Sequence, residues 1–521
     1  MDSLPYSERL NRAADSANGE YLVFIDGKIR TSQDWLNNLM DVALKTPNIG
    51  CVGGKIVYSE LGSSSEKSKL YKIRSIGTEF IQTSDGSFKE VPMGNGLELS
   101  SPVCLKSNAR ASISNEVILI PKNRFLEFNG FDEEYLENFQ VSDLCLKLTK
   151  KGYKNIYHPN SLLFIAIQNE PDFNKKIYSA DSKLFNNNWR EFLAKNVLLD
   201  KIEGRNIYSI EKFKLGFAVS EVGENASAGD YFTAKEFGES LKSMGWEVKF
   251  LAREGSDYWY DASNLDVVVS LLYTFDPRRI RSSTASPIKV AWPRNWFDRW
   301  VFFPWFSSYD LVFTPSKKSQ EYVRLNSTQD PFLLPLATNP SRFNMNVTKN
   351  DKYMSDYCFT GSYWNDPREI IDILDPSELP YRFRLFGKNW DEIAKFKPYF
   401  GGFVNYSDIP HVYASTKIVV DDANRATKVY GSVNSRVYDA LSSGALVLTN
   451  GRQGAEEIFM GMLPVYESKA DLNNLLEHFL EKDDEREELI EKLQKFVLKN
   501  HTYLNRAEEL KHKLIKYVEA K

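Results

Sequence analysis

Short runs of consecutive apolar residues alternate along this chain with longer segments whose apolar positions recur every three or four residues. The short runs read as buried strands and the longer segments as amphipathic helices, so the pattern predicts βαβ units and parallel sheets. Tyr21–Ile25 (YLVFI) is one such strand, ending at Asp26, and 116–120 (EVILI) is another, ending at Pro121. The run 149–153 (TKKGY) closes a helix with basic residues and a glycine stop, and a short strand follows it. No solenoid period appears.

A second unit opens at 214–220 (KLGFAVS), a strand that enters a polar loop containing Gly229 and Asp230. A helix to Gly245 and a strand over 246–251 complete one βαβ half-turn. Strand-like runs recur at 267–272, 288–291 and 311–314. A third unit repeats the rhythm from 357–360, with strands at 382–386, 418–420 and 445–449. Residues 169–211 are polar and helical, with three Asn at 186–188 and no strong core pattern, and read as a linker. The chain therefore reads as an α/β protein divided at 1–168, 169–211, 212–340, 341–500 and 501–521, the last a charged helix. Two consecutive Rossmann-like units imply a cleft between them.

Composition narrows the function classes. Apolar residues make up 42 % of the 521 and charged residues 26 %, which excludes wholesale disorder. The net charge of −4 offers no basic field for nucleic acid. The four Cys, at 51, 104, 145 and 358, form no Cys-x-x-Cys pair, so a zinc site or disulfide framework is not expected and a reducing compartment fits. No apolar run reaches membrane-spanning length, and the polar first twenty residues do not read as a signal peptide. The expectation is a cytoplasmic protein, with the inner face of the membrane as a place of peripheral contact.

The stretch 418–459 (IVVDDANRATKVYGSVNSRVYDALSSGALVLTNGRQGAEEIF) carries the most chemistry. A helix is expected to begin near 432–434, where Ser and Asn are good caps. Arg436 stands in its first turn, where free N–H groups, the helix dipole and a guanidinium fork together suit a diphosphate. Asp439, three residues on, is placed to accept hydrogen bonds from a ribose, and Glu457, beyond Gly451 and Gly454, from sugar hydroxyls. Alone, Arg436 and Asp439 are also a plain surface pair of small worth. Their position with Gly444, Asn450 and Gly454 at the carboxyl ends of parallel strands points to a ligand site.

Residues 434–448 (NSRVYDALSSGALVL), with 357–362 (YCFTGS), 386–387 and 501–507 (HTYLNRA), resemble the donor-binding domain of group 1 (family 4-type) glycosyltransferases, closest to the spore-maturation-protein-like branch. The resemblance covers roughly 212–521. It implies the GT-B fold, two Rossmann-like domains facing a cleft, and sugar transfer from a nucleotide donor with no resident cofactor and no metal. It implies that Gly361 and Ser362 form the turn facing the donor phosphate. Arg436 then binds the phosphate, Asp439 the ribose and Glu457 the donor sugar, with Asn434 and Ser435 also among the donor-binding residues. The family pairs two Glu eight residues apart, but the position eight before Asp439 is Gly431. A basic pair after the first strand is absent at 363–365.

In that fold the first Rossmann unit binds the acceptor. None of the five His lies between 212 and 340, so a histidine base from this unit is excluded, and Asp230 is the candidate base, with Glu221 and Glu224 behind it. Capping of the helix after Gly229 is an equal reading of Asp230. The segment 291–306 (AWPRNWFDRWVFFPWF) places Trp292, Trp296 and Trp300 at i, i+4 and i+8. A buried helical face, a sugar or lipid platform and a membrane-surface patch are its three readings. Similarity to the branch over 292–296 assigns Arg294 and Trp296 to the acceptor.

Residues 11–165 resemble the second half of a family 2 (GT-A) glycosyltransferase, on 11–26 (NRAADSANGEYLVFID), 130–133 (GFDE), 143–147 (DLCLK) and 152–153. The base-binding strands of that family would precede residue 11. Its metal-binding Asp-x-Asp is here Asp26-Gly27-Lys28, and Gln140-Val141 replace its catalytic acid pair. A partial GT-A-like domain, catalytically dead and serving for packing or docking, is the expectation. The whole reads as a nucleotide-sugar-dependent hexosyltransferase of polysaccharide, glycolipid or glycoprotein assembly. Its expected partners are the nucleotide-sugar donor, a glycan or lipid-linked acceptor, the membrane surface and other glycosyltransferases, not nucleic acid. The alternative is a non-catalytic glycosyltransferase-like scaffold.

Overall fold

The computed structural model describes residues 4–59, 70–166, 174–224, 226–255, 258–282, 285–365 and 367–521. They fall into two compact units. The first is formed by residues up to Phe213 with Ala285 and Tyr517–Lys521, and the second by the rest.

The first unit is built on a mixed sheet in the order Tyr21–Ile25, Val117–Pro121, Ile49–Ser59, Lys154–Ala166, Ile29–Thr31. The strand after Gly152 is thirteen residues long, not short. Its apolar side chains pack on the helices Trp35–Lys45 and Gln140–Lys150. The linker expected over 169–211 is, over its described residues 174–211, instead part of this core. One helix spans Lys175–Glu203 and buries Asp181, Phe185, Trp189 and Leu193, one every fourth residue. Phe185 stacks on Phe139 at 4.6 Å. Buried Asp181 accepts from the backbone N–H groups of Leu136, Glu137 and Asn138, and Trp189 Nε1 donates to Asp143 at 2.8 Å. A carboxylate in the first place of the buried stripe disguised it as a solvated helix.

The second unit holds two all-parallel sheets. The first has the order Glu247–Leu251, Lys214–Ala218, Val267–Ser270, Ile288–Ala291, Leu311–Thr314, Phe332–Leu333. The second has the order Phe383–Phe386, Ser355–Thr360, Thr416–Asp421, Leu446–Thr449. In each lobe the chain begins on an inner strand, adds one neighbour, then reverses to the other side. The crevice at that reversal, beyond the carboxyl ends of the strands, is where open α/β sheets bind ligands. Two Rossmann-like lobes of this kind, facing across a cleft, are the GT-B architecture.

The last helix, Tyr503–Ala520, returns to the first lobe. Tyr503 stacks on Phe237 at 5.8 Å, and buried Arg506 donates to the Pro335 carbonyl at 2.8 Å. Arg506 also donates to Nδ1 of His501 at 2.6 Å, which requires a neutral imidazole. Burial, then the charge of Arg506, lowers the His501 pKa to about 3 from its ordinary 6.5. Below pH 6.5 the unfolded chain takes up this proton and the folded chain does not. His501 therefore contributes stability that is present above 6.5 and lost as pH falls from there towards about 3. Urea titrations of wild type and His501→Phe should keep a constant difference in unfolding free energy above pH 7. The difference should shift in favour of the variant between pH 6 and 4. A pH-independent difference contradicts the assignment.

The tryptophans at 292, 296 and 300 do not share a helix. Only Phe297–Phe302 is helical, because Trp296 adopts a left-handed conformation at φ 51° and ends the preceding loop. Trp292 and Trp300 are nonetheless core residues, and Trp292 Nε1 donates to the Leu334 carbonyl at 2.9 Å.

Candidate functional site

The cleft between the lobes contains a cavity of about 210 Å³. Its second-lobe wall comes from three places at the carboxyl end of the sheet. The turn after Ser355–Thr360 supplies Thr360, Gly361 and Ser362, and the end of Phe383–Phe386 supplies Phe386 and Gly387. The start of the helix Ser435–Ser442 supplies Ser435, Arg436 and Asp439. Phe403, Val404, Tyr406 and Ile409 add apolar lining. The first lobe contributes Ser227, Gly229, Phe232 and Thr233, and the last helix Tyr503.

Asn434 occupies the cap position of the 435–442 helix, but its side chain makes no cap bond. It donates instead to Asp421 Oδ1 at 3.1 Å. The N–H groups of the first turn thus keep no side-chain acceptor, the condition in which a helix end attracts an anion. Arg436 Nη1 lies 2.7 Å from Asp421 Oδ1, Nε bonds Thr360 Oγ1 at 3.3 Å, and the guanidinium lies over the Phe359 ring at 4.8 Å. Burial works against its charge, but Asp421 and Tyr413 outweigh this and hold its pKa above the ordinary value. Asp421, 2 % exposed, is fixed in turn by Thr449 Oγ1 at 2.8 Å. Arg436 is therefore a cation held rigidly at the cavity rather than a surface side chain.

Two glycines permit this approach. Gly361 has φ +150°, and a Cβ there would stand 2.8 Å from Arg436 Nη2. Gly387 has φ +149°, and a Cβ there would stand 2.1 Å from the Gly361 carbonyl oxygen. Behind the turn, Arg368 joins the Ser362 carbonyl at 3.1 Å to Asp422 at 2.8 Å. Ser362 Oγ accepts from the Lys388 N–H at 3.1 Å.

Asp439 lies at the floor of the cleft and accepts from Thr338 Oγ1 at 2.8 Å. Its pKa is well above the ordinary carboxylate value, because of burial and then the nearby Glu236, with Thr338 and Arg342 pulling the other way.

Other expected site residues fall elsewhere. Asp230 is buried in the first turn of the helix Gly229–Ser243, and both its oxygens are engaged by Ser220, from N at 2.6 Å and Oγ at 2.8 Å. It braces the end of the Lys214–Ala218 strand and does not line the cavity, so it is not placed as a base. Nor does it cap the helix, since Glu221 takes the N–H groups of Ser227 and Ala228 just before it. Asp230→Ala should lower stability by about 1–2 kcal/mol through the two lost bonds while leaving nucleotide affinity unchanged, checked by denaturant titration and calorimetry.

Glu457 also lies outside the cavity. It sits late in the helix Arg452–Phe459, not in a loop, and accepts from the Lys317 N–H at 2.6 Å. It thereby caps the first-lobe helix Lys317–Asn326 and ties the lobes together, beside Ser316 Oγ on the Tyr430 carbonyl at 2.5 Å. Arg294 stands behind the cavity wall, donating to Thr233 Oγ1 at 2.9 Å with its buried Nε unpartnered. Trp296 lies beyond it under Arg299, whose guanidinium is 4.0 Å from the ring. Among the described lining residues the first-lobe wall carries hydroxyls but no carboxylate or imidazole.

From the sequence, Asp421, Asp422, Arg368 and Phe403 carry no expected site role, and Gly387 and Tyr503 enter only within the segments of the family resemblance. The signal for the two aspartates was available, since they are the first polar residues after the run IVV at a strand's carboxyl end. Among the described residues, no three His, Cys, Asp or Glu side chains converge as a metal site, and no helix is long and apolar enough to cross a membrane.

Residues 368–512 match a family model described as glycosyl transferase-like. No curated protein sequence matches the chain. Among solved structures, a glycosyltransferase from Rickettsia africae is similar at 13 % identity and TM-score 0.45, covering 59 % of this chain and 99 % of its own. WaaG, a glycosyltransferase involved in lipopolysaccharide biosynthesis, gives 12 % and 0.41, covering 59 % and 100 %. A T4 phage BGT mutant in complex with UDP-glucose also gives 12 % and 0.41, covering 59 % and 100 %.

Proposed function

We propose that this chain transfers a hexose from a nucleoside-diphosphate donor to a hydroxyl of a glycan, glycolipid or protein, with the chemistry at the start of the 435–442 helix. The observation that carries the reading is the mixed lining of the cavity. It brings Arg436, the uncapped helix turn and the Gly361 turn together with the apolar side chains of Phe386, Phe403, Val404 and Ile409. A ligand that suits such a lining has an anionic group and an apolar ring, as a nucleoside diphosphate does. The glycosyl transferase-like match over 368–512, which contains Arg436 and Asp439, supports the same reading.

In the reaction the bond between the anomeric carbon and the diphosphate oxygen breaks, and a bond from that carbon to the acceptor oxygen forms. The departing diphosphate gains charge, and the acceptor's proton passes to one of its oxygens, since the described first-lobe lining offers no carboxylate or imidazole to take it. Arg436 and the helix N–H groups stabilise that charge, the term that usually dominates. Asp439 at the cleft floor receives the ribose hydroxyls, and closure of the lobes keeps water from the donor.

Thermal-shift measurements with UDP, GDP and dTDP test the reading, with a rise in melting temperature for at least one of them. No shift with any of the three overturns it. A shift without transfer to any acceptor or to water leaves the scaffold alternative. Phe403→Ala should weaken nucleotide binding by roughly tenfold, the worth of one base–aromatic stack, with kcat little changed. Calorimetry and steady-state rates read the two effects separately.

A further inference from the structure

The first lobe carries an aromatic surface that the proposed transfer site does not use. It is built by two loops, 271–281 and 292–306, which follow the carboxyl ends of Val267–Ser270 and Ile288–Ala291. Phe303 is sandwiched between Tyr273 at 6.0 Å and Trp305 at 4.3 Å, both nearly parallel to it. Phe302 stands beside the stack with 79 % of its surface in solvent. Arg299 lies over Tyr273 at 5.4 Å and Arg278 over Trp305 at 5.7 Å.

The net charge on these loops is positive. They contain five arginines and two aspartates, with no lysine or glutamate, so they carry +3 in a chain whose net charge is −4. Arg278 is paired to Asp276 at 2.8 Å. Arg279 and Arg299 are exposed and lie on the rings of Tyr260 and Trp296. One exposed phenyl ring beside half-buried aromatic rings, interleaved with guanidinium groups, suits a layer that is apolar below and anionic above. That is the interface of a bilayer containing acidic lipids. An acidic protein surface would use the arginines but leave the phenyl ring of Phe302 unsatisfied.

We propose that this face docks the protein on an anionic lipid bilayer, with Phe302 inserted at the interface and Arg279 and Arg299 on lipid phosphates. The loops lie at the same end of the first sheet as the cavity, so docking presents the cleft to acceptors held at the membrane surface. The docking itself does not depend on the transfer reading.

Flotation of the full chain with phosphatidylcholine vesicles, with and without phosphatidylglycerol, tests it. The protein should float with the acidic vesicles only, and less as salt is raised. Arg279→Glu and Arg299→Glu should each lower the partition coefficient by roughly fivefold or more, and Phe302→Ser by a similar factor. All three should keep the melting temperature of the wild type, which separates lost docking from lost folding. Flotation equal for the two vesicle types, or unchanged in all three variants, overturns the proposal. So does a wild type that fails to float but forms a dimer abolished by Phe302→Ser, because the face would then belong to a second copy.

Discussion

Arg436→Ala is expected to lower transfer by about 10³ and to destabilise the protein by about 3 kcal/mol. The two effects have different causes. The rate falls because the leaving diphosphate loses the cation that meets its developing charge. Stability falls because Asp421, 2 % exposed, is left as a buried carboxylate facing only Asn434 and Thr449. The double variant Arg436→Ala/Asp421→Asn separates them. An amide at 421 carries no charge to desolvate and can still meet Thr449, so most of the stability should return while transfer stays low. Denaturant titration and initial rates on the two variants check this. Recovery of transfer together with stability would show that Arg436 serves the fold and not the reaction.

Gly387→Ala should be the most damaging single change in the turn region, at about 3 kcal/mol with loss of nucleotide binding. The added carbon would stand 2.1 Å from the carbonyl oxygen of Gly361, and φ at 387 is +149°. The obstacle is backbone, so no side-chain rotation relieves it, and the whole 361–362 turn must move. Gly361→Ala makes an informative contrast. There the obstacle is Arg436 Nη2 at 2.8 Å, the end of a side chain that can shift slightly while Nη1 keeps Asp421. Gly361→Ala should therefore lose less stability than Gly387→Ala, yet lower transfer by displacing the cation that meets the diphosphate. Melting temperatures and rates for the pair measure both. Equal destabilisation by the two glycine changes would argue against the backbone contact as the cause.

The two kinds of residue in the site differed in how legible they were. Arg436 and Asp439 could be found because the segment around them declares its own structure. Apolar runs mark Thr416–Asp421 and Leu446–Thr449, and the helix between them has a glycine stop at 444. Position at a strand's carboxyl end then points to the cleft. Asp230 and Glu457 misled because a carboxylate close after a glycine-containing loop looks the same whether it meets a ligand or a backbone N–H. Ser220 claims the first and Lys317 the second. Lys317 is 140 residues from Glu457, beyond the reach of any local pattern. The helix Lys175–Glu203 was misread for a related reason. Its buried stripe opens on Asp181, whose backbone partners lie some 43–45 residues upstream.

What the sequence determined by itself is the order and type of the elements. That information is local, held in runs of apolar residues, in caps and in glycine stops, and it survives without knowledge of neighbours. What only the tertiary structure decided is which polar side chains are already spoken for. Asp421, Asp230 and Glu457 are chemically alike in the sequence. They differ because folding brings a guanidinium to one, a serine to the next and a helix end to the third. A carboxylate's role follows from the charge and hydrogen bonds that surround it once water is removed.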